Sequence, residues 1–90
     1  MMTLLKQPAE VKSFAFNFRQ RLRPGEVLAS AVLTVPDASG LTAGPVTVQS
    51  PQVLFLVEGG TPGSYVLTCR ATTEGGDVHE GEGLLEVVDL

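Results

Sequence analysis

The sequence predicts an all-β domain, an antiparallel sandwich of six to seven short strands. Three observations predict it. Apolar and polar residues alternate at a period of two in several stretches, and none sustains a period of 3.6. Ten glycines and six prolines punctuate those stretches at short intervals. From Val53 to Val88 the chain reads as an apolar strand, a Gly-Gly-Thr-Pro-Gly turn, a strand opening on Tyr65, a second glycine-rich turn and a final strand.

Ninety residues form one domain, with residues 1–10 expected as a flexible terminal arm and 11–90 as the sandwich. At this size folding hides roughly 60–65% of the chain's surface, so the core is thin. Hydrophobic residues at 43% and charged residues at 18% fit a globular domain and not a disordered one.

Lys12 to Leu22 alternates. Phe14, Phe16 and Phe18 point one way; Ser13, Ala15, Asn17 and Arg19 point the other. Arg19, Arg21 and Arg23 are expected to continue that wet face as a stripe. Pro24-Gly25 turns the chain. From Glu26 to Val35, Val27, Ala29, Ala31, Leu33 and Val35 share one face, small enough for the phenylalanine row to pack over. Residues 36–45 read as a loop, and Val46 to Val48 as a short strand stopped by Ser50-Pro51. Val53 to Val57 is continuously apolar, which implies burial on both faces or one face left for a partner.

From Ser64 to Thr72, Tyr65, Leu67, Cys69 and Ala71 are expected inward. Residues 73–77 form a hairpin loop, and 78–88 the last strand. Gly81 and Gly83 there suggest a bulge or a close backbone contact. Tyr65 stands two residues after Gly63 and two before Leu67. That spacing suits the tyrosine corner of immunoglobulin-like folds, and equally an ordinary core tyrosine.

The residues offer no catalytic set, no cofactor motif and no metal site. Cys69 and His79 fall on strands joined by one hairpin, so a thiol–imidazole pair is geometrically conceivable, but an inward thiol between Leu67 and Ala71 is inert. Glu74, Asp77, Glu80 and Glu82 crowd one hairpin without the alternating acids of a calcium loop. The glycine-rich turn at 59–63 precedes a strand and carries no Lys-Ser/Thr, so it is no phosphate cradle. A net charge of −4 and a pI near 4.7 argue against nucleic acid as a partner. The apolar start before Lys6 is too short for a secretory leader, and no window reaches the roughly 20 apolar residues of a membrane span. The single cysteine excludes an intrachain disulfide and favours intracellular assembly.

Charge is uneven. Residues 1–23 hold five basic groups against Glu10, while residues 24–90 hold Arg70 against nine acids. Such a chain suits head-to-tail contact, or pairs its charges internally. Self-association is therefore an expectation. Its surfaces are an exposed edge at Val46–Val48, the strand carrying Gly81 and Gly83, or an uncovered Val53–Val57 face.

From Phe14 onward the order of features resembles a family of small phage and prophage virion proteins of fiber–tail adaptor-like type. Ser13-Phe14-Ala15-Phe16-Asn17-Phe18, Gly25-Glu26-Val27-Leu28-Ala29-Ser30, Val53-Leu54-Phe55-Leu56 and Glu58 to Gly76 carry the resemblance, over about residues 11–88. The chain departs from the pattern in having no Trp, which the family places near Phe18 and near Leu33. It also has Asn17 where an acid is usual, and Gly76-Asp77 where a basic residue is. The resemblance implies an immunoglobulin-like sandwich and a non-enzymatic structural role in a virion, as adaptor, connector or decoration subunit. It implies other phage structural proteins as partners, and host cytoplasm as the place of assembly. The alternative is an immunoglobulin-like binding module of a surface or glycan-associated protein.

Overall fold

The structure, a computed structural model, describes residues 2–89. Seven strands dominate it: β1 (Met2–Lys6), β2 (Val11–Asn17), β3 (Leu28–Thr34), β4 (Leu41–Gln49), β5 (Gln52–Gly59), β6 (Gly63–Thr73) and β7 (Val78–Val87). They form two sheets, β1-β7-β6-β3 and β2-β5-β4. All pairs are antiparallel except β1 with β7, which is parallel. The all-β sandwich predicted from periodicity is the fold observed.

The core lies between the sheets. Phe16, Val53, Phe55 and Val57 supply it from one side; Leu28, Leu67, Cys69, Ala71, Leu85 and Val87 supply it from the other. These are the inward positions of alternating strands, as a period of two requires. The inward set on β6 is the expected one, with Tyr65 half-buried at its end.

Four expectations change. Residues 2–6, expected in a flexible arm, are a strand at the edge of the larger sheet. Leu4 packs on the core, and Lys6 is buried, with its Nζ donating to the carbonyls of Gln7 (2.6 Å) and Pro8 (3.3 Å). A long stem lies in the apolar layer while the ammonium reaches backbone oxygens, so a charge so close to the terminus did not betray the strand.

The strand after Phe14 and Phe16 stops at Asn17. The Asn17 Oδ1 accepts from the Arg19 amide at 2.9 Å, and the Phe18 carbonyl accepts from Arg21 at 2.8 Å. A side chain that bonds its own backbone two residues on closes a turn, so Arg19 to Arg21 form a 3-10 turn and not a strand stripe.

On β3 the register slips between Leu28 and Ser30. Leu28 turns inward and Ala29 outward, against the alternation read from Val27 onward. The rings of Phe16 and Phe18 lie instead over Gly81 on β7, where a Cβ would sit 3.3 Å from both. Gly81 thus marks a close approach, with no bulge in the β6–β7 register.

The loop expected over 36–45 is shorter, because β4 starts at Leu41. A register shift between Ala43 and Val46 absorbs Gly44 and Pro45 within the strand. The β4 strand is one edge of its sheet, as expected for Val46–Val48.

Candidate interaction surfaces

The residues able to do chemistry are placed first. Cys69 faces Gly81 across the β6–β7 ladder and His79 faces Ala71, so the two lie diagonally on the inward face. No hydrogen bond joins them among the described residues. The His79 Nε2 points instead toward the Glu26 carboxylate at 3.6 Å. Cys69 is fully buried, and burial pushes its thiol up to about 11. A thiol so placed is not a nucleophile at neutral pH.

The sign of its pH effect follows. In the unfolded chain the thiol ionises near 9.0, and in the folded chain near 11. The folded state keeps the proton, so this stabilisation is complete below pH 9 and is lost as pH rises toward 11. The full effect is about 2–3 kcal/mol. The stability difference between wild type and Cys69→Ala should therefore shrink between pH 8 and 11 in urea titrations. Lys6, whose pKa is lowered by burial against the opposing pull of Glu10 and Glu58, gives the opposite slope but is common to both chains and cancels.

The acids of the hairpin do not converge. Asp77 pairs with Arg23 at 3.3 Å and Glu80 with Arg70 at 3.4 Å. Glu80 and Glu82 share the outer face of β7, opposite Arg70 and Thr68. Part of the charge asymmetry is thus internal, through exposed pairs worth at most about 1 kcal/mol each.

The glycine-rich turn joins the two sheets between β5 and β6. Gly59 and Gly60 have φ of 75° and 102°, conformations open to glycine. The Gly60 amide donates to Gly40 at 3.1 Å and that of Thr61 to Ser39 at 3.0 Å. The Tyr65 hydroxyl donates to the Thr61 carbonyl at 2.8 Å. The phenol therefore returns to backbone four residues upstream, at the crossing between sheets, and pins its angle.

What remains for contact is surface. The outer face of β2-β5-β4 presents Val11, Ser13 and Ala15 beside Leu54, Leu56 and Glu58, and then Thr42, Thr47 and Gln49. Glu58 is the one charge in that set. Val11 is 55% exposed and Leu56 36%. A shallow hollow of about 220 Å³ lies over Leu54 and Leu56, walled by Ser13, Pro45 and Thr47. The apolar run of β5 is therefore buried on one face only: Val53, Phe55 and Val57 go in, while Leu54 and Leu56 stay within reach of a partner. Aromatic rings are absent from it. Phe16, Phe18 and Phe55 are buried, and Phe14 and Tyr65 half-buried, so none offers a flat platform for a sugar.

A family model described as podophage GP4 fiber-tail adaptor protein gp77 matches residues 6–86. The chain belongs to that family. No curated protein matches it. The match begins at buried Lys6 and ends one residue short of the last residue of β7, so all but the first four residues of β1 and the end of β7 lie within it. Membership makes the chain a small phage virion structural protein of the adaptor kind, whose work is contact with other tail proteins. The Gly59–Gly76 signature and the phenylalanine row, which carried the resemblance, build the sheet-to-sheet corner and the core of this adaptor domain. Its nearly uncharged face was legible only as the continuous apolarity of Val53–Val57. The part played by Val11, Ser13 and Pro45 was not, because strand pairing alone brings them beside Leu54 and Leu56.

Proposed function

We propose that the domain is a non-catalytic virion subunit that docks other tail proteins through the outer face of β2-β5-β4. The observation that carries this reading is a nearly uncharged, partly apolar sheet face on a member of a fiber-tail adaptor family. Interfaces are depleted of charge at their centre, and this face has that character while the opposite sheet carries Glu80, Glu82 and Glu86. We read the fold as immunoglobulin-like. The pairing of β2, β5 and β4 against β7, β6 and β3 follows the order of B, E, D against G, F, C in that sandwich. Tyr65 occupies the corner position. A nearly uncharged face also meets its own copy with little charge conflict, so weak dimers at high concentration belong to this reading, and sedimentation tests them.

The main test is incorporation into particles. Leu56 is outward on β5, so Leu56→Asp should leave the circular dichroism spectrum and melting temperature nearly unchanged. The variant should be at least about tenfold depleted from purified virions relative to wild type, as expected for loss of a central apolar contact. Normal incorporation of a folded Leu56→Asp chain overturns this face as the docking surface.

A further inference from the structure

A second surface lies on the larger sheet, at the edge farthest from β1. There β3 pairs with β6 on one side, and β4, the next strand in the chain, belongs to the other sheet and does not pair with it. The direction of the β3 peptide groups can be assigned. The Thr73 amide donates to the Asp77 carbonyl at 2.8 Å, and the Glu74 amide to the Val27 carbonyl at 2.9 Å. Odd-numbered residues of β6 thus turn their peptide groups to β7, and even-numbered ones to β3. Ser30, Val32 and Thr34 take up those bonds, opposite Thr72, Arg70 and Thr68. The peptide groups of Ala31 and Leu33 face the open side, and none of them has a hydrogen-bond partner among the described residues.

Open edges are ordinarily guarded by charge, proline or a bulge. In the other sheet, β2 carries Lys12 and β4 is broken at Gly44-Pro45. On β3 the guards stand only at the ends. The register slips at Ala29, next to a Leu28 amide already bonded to Ser50 Oγ at 3.1 Å, and Pro36 follows the strand. Between them no residue is charged, and Val32 is 64% exposed. The segment Ser30-Ala31-Val32-Leu33-Thr34 also has the same chemistry in both directions: hydroxyl, apolar, Val, apolar, hydroxyl.

From this geometry we infer that β3 pairs antiparallel with β3 of a second copy of this chain, about a twofold axis at Val32, so that two sheets become one. The open peptide groups fix the register. Ala31 lies opposite Leu33 of the second copy and Leu33 opposite its Ala31, each pair exchanging both main-chain bonds. Val32 then lies opposite Val32, and Ser30 opposite Thr34, at the narrow positions where side chains approach most closely. Apolar meets apolar there, and hydroxyl meets hydroxyl. On the core side small Ala31 meets larger Leu33, both already packed on the hydrophobic layer. Arg70 stands one strand back, paired with Glu80 at 3.4 Å, so no like charges meet at the seam. A twofold contact sets a segment against its own reverse, and this segment is its own match. The edge is separate from the outer face of β2-β5-β4, and the inference stands whether or not that face docks tail proteins.

The test is sedimentation equilibrium and hydrogen exchange of the full chain up to millimolar concentration. Wild type should dimerise, and the amides of Ala31 and Leu33 should gain protection as concentration rises. Val32→Lys should keep the circular dichroism spectrum and weaken the dimer at least about tenfold, because like charges stand directly opposite. Leu56→Asp should leave the dimer unchanged. Cross-linking with diamide as oxidant reads the register. Val32→Cys should couple to itself, since directly opposed positions lie within disulfide reach. Ser30→Cys and Thr34→Cys should couple when mixed, and neither should couple alone. Cys69 stays buried and takes no part. If Val32→Lys does not fold, the cross-links and the wild-type exchange still decide. A strictly monomeric wild type, or self-coupling of Ser30→Cys and Thr34→Cys as ready as that of Val32→Cys, overturns the inference. So does a dimer lost in Leu56→Asp and kept in Val32→Lys, which assigns self-association to the docking face instead.

Discussion

Phe55→Ala should cost about 3–5 kcal/mol, a large part of the total stability of a domain this small. Phe55 sits at the centre of the middle strand of β2-β5-β4 and is 2% exposed. Its ring stacks on Phe16 with centroids 5.2 Å apart and tilts against Phe14 at 5.8 Å. Truncation removes the ring's own burial and leaves a void that Val46 and Phe14, each tied to strand backbone across from it, cannot close. The check is urea unfolding at 25 °C. The midpoint should fall steeply with an unchanged slope, since the surface exposed on unfolding hardly changes. Phe14→Ala, at a half-buried position, should lose less. A Phe55→Ala loss under about 1 kcal/mol would mean the rings do not form one packed row. The same row supports Leu54 and Leu56 from beneath, so a weakened Phe55 chain should also dock poorly.

Gly60→Ala should lower the melting temperature by about 15 °C, from a loss near 3 kcal/mol. Two costs add. The backbone stands at φ 102°, where an L side chain is strained by roughly 1–2 kcal/mol. A Cβ would also lie 2.6 Å from Leu41 Cδ2 and 3.2 Å from Val87 Cγ2. Both neighbours are buried, so moving them overpacks the core by about 1–3 kcal/mol. Gly25→Ala is the matched control. It has φ 81° and nothing within 4 Å of the added carbon, so only the backbone cost applies. Equal losses for the two variants would remove packing from the account. The consequence reaches function, because Gly60 sits where the chain leaves one sheet for the other.

Local rules explain much of this fold. Alternation placed the inward sets of β2 and β6, because a period of two is a property of the strand itself. The Gly59–Gly63 turn and the hairpin at 73–77 follow from residues with special backbone preferences, which act over four or five positions. The turn at Asn17 was read as strand, because the phenylalanine alternation continues through it to Phe18. The bulge at Ala29 and the entry of Gly44 and Pro45 into β4 were not legible, since each depends on the register of a neighbouring strand. Lys6 is the clearest case. A lysine near the terminus reads as solvated, and only the carbonyls of Gln7 and Pro8, folded back over it, make its burial tolerable.

By itself, then, the sequence determined that the chain is a β-sandwich, and its phage-adaptor resemblance pointed to the family. Composition, periodicity and turn chemistry are local and additive, so they survive in one dimension. Tertiary structure decided which surfaces are left for partners. Leu54 lies on a nearly uncharged face because Ala15 and Thr47 flank it, and Leu56 joins it because Ser13 lies across the ladder from it. Both depend on pairings between residues dozens of positions apart, whose register is set by the best joint burial of two sheets and by no single segment.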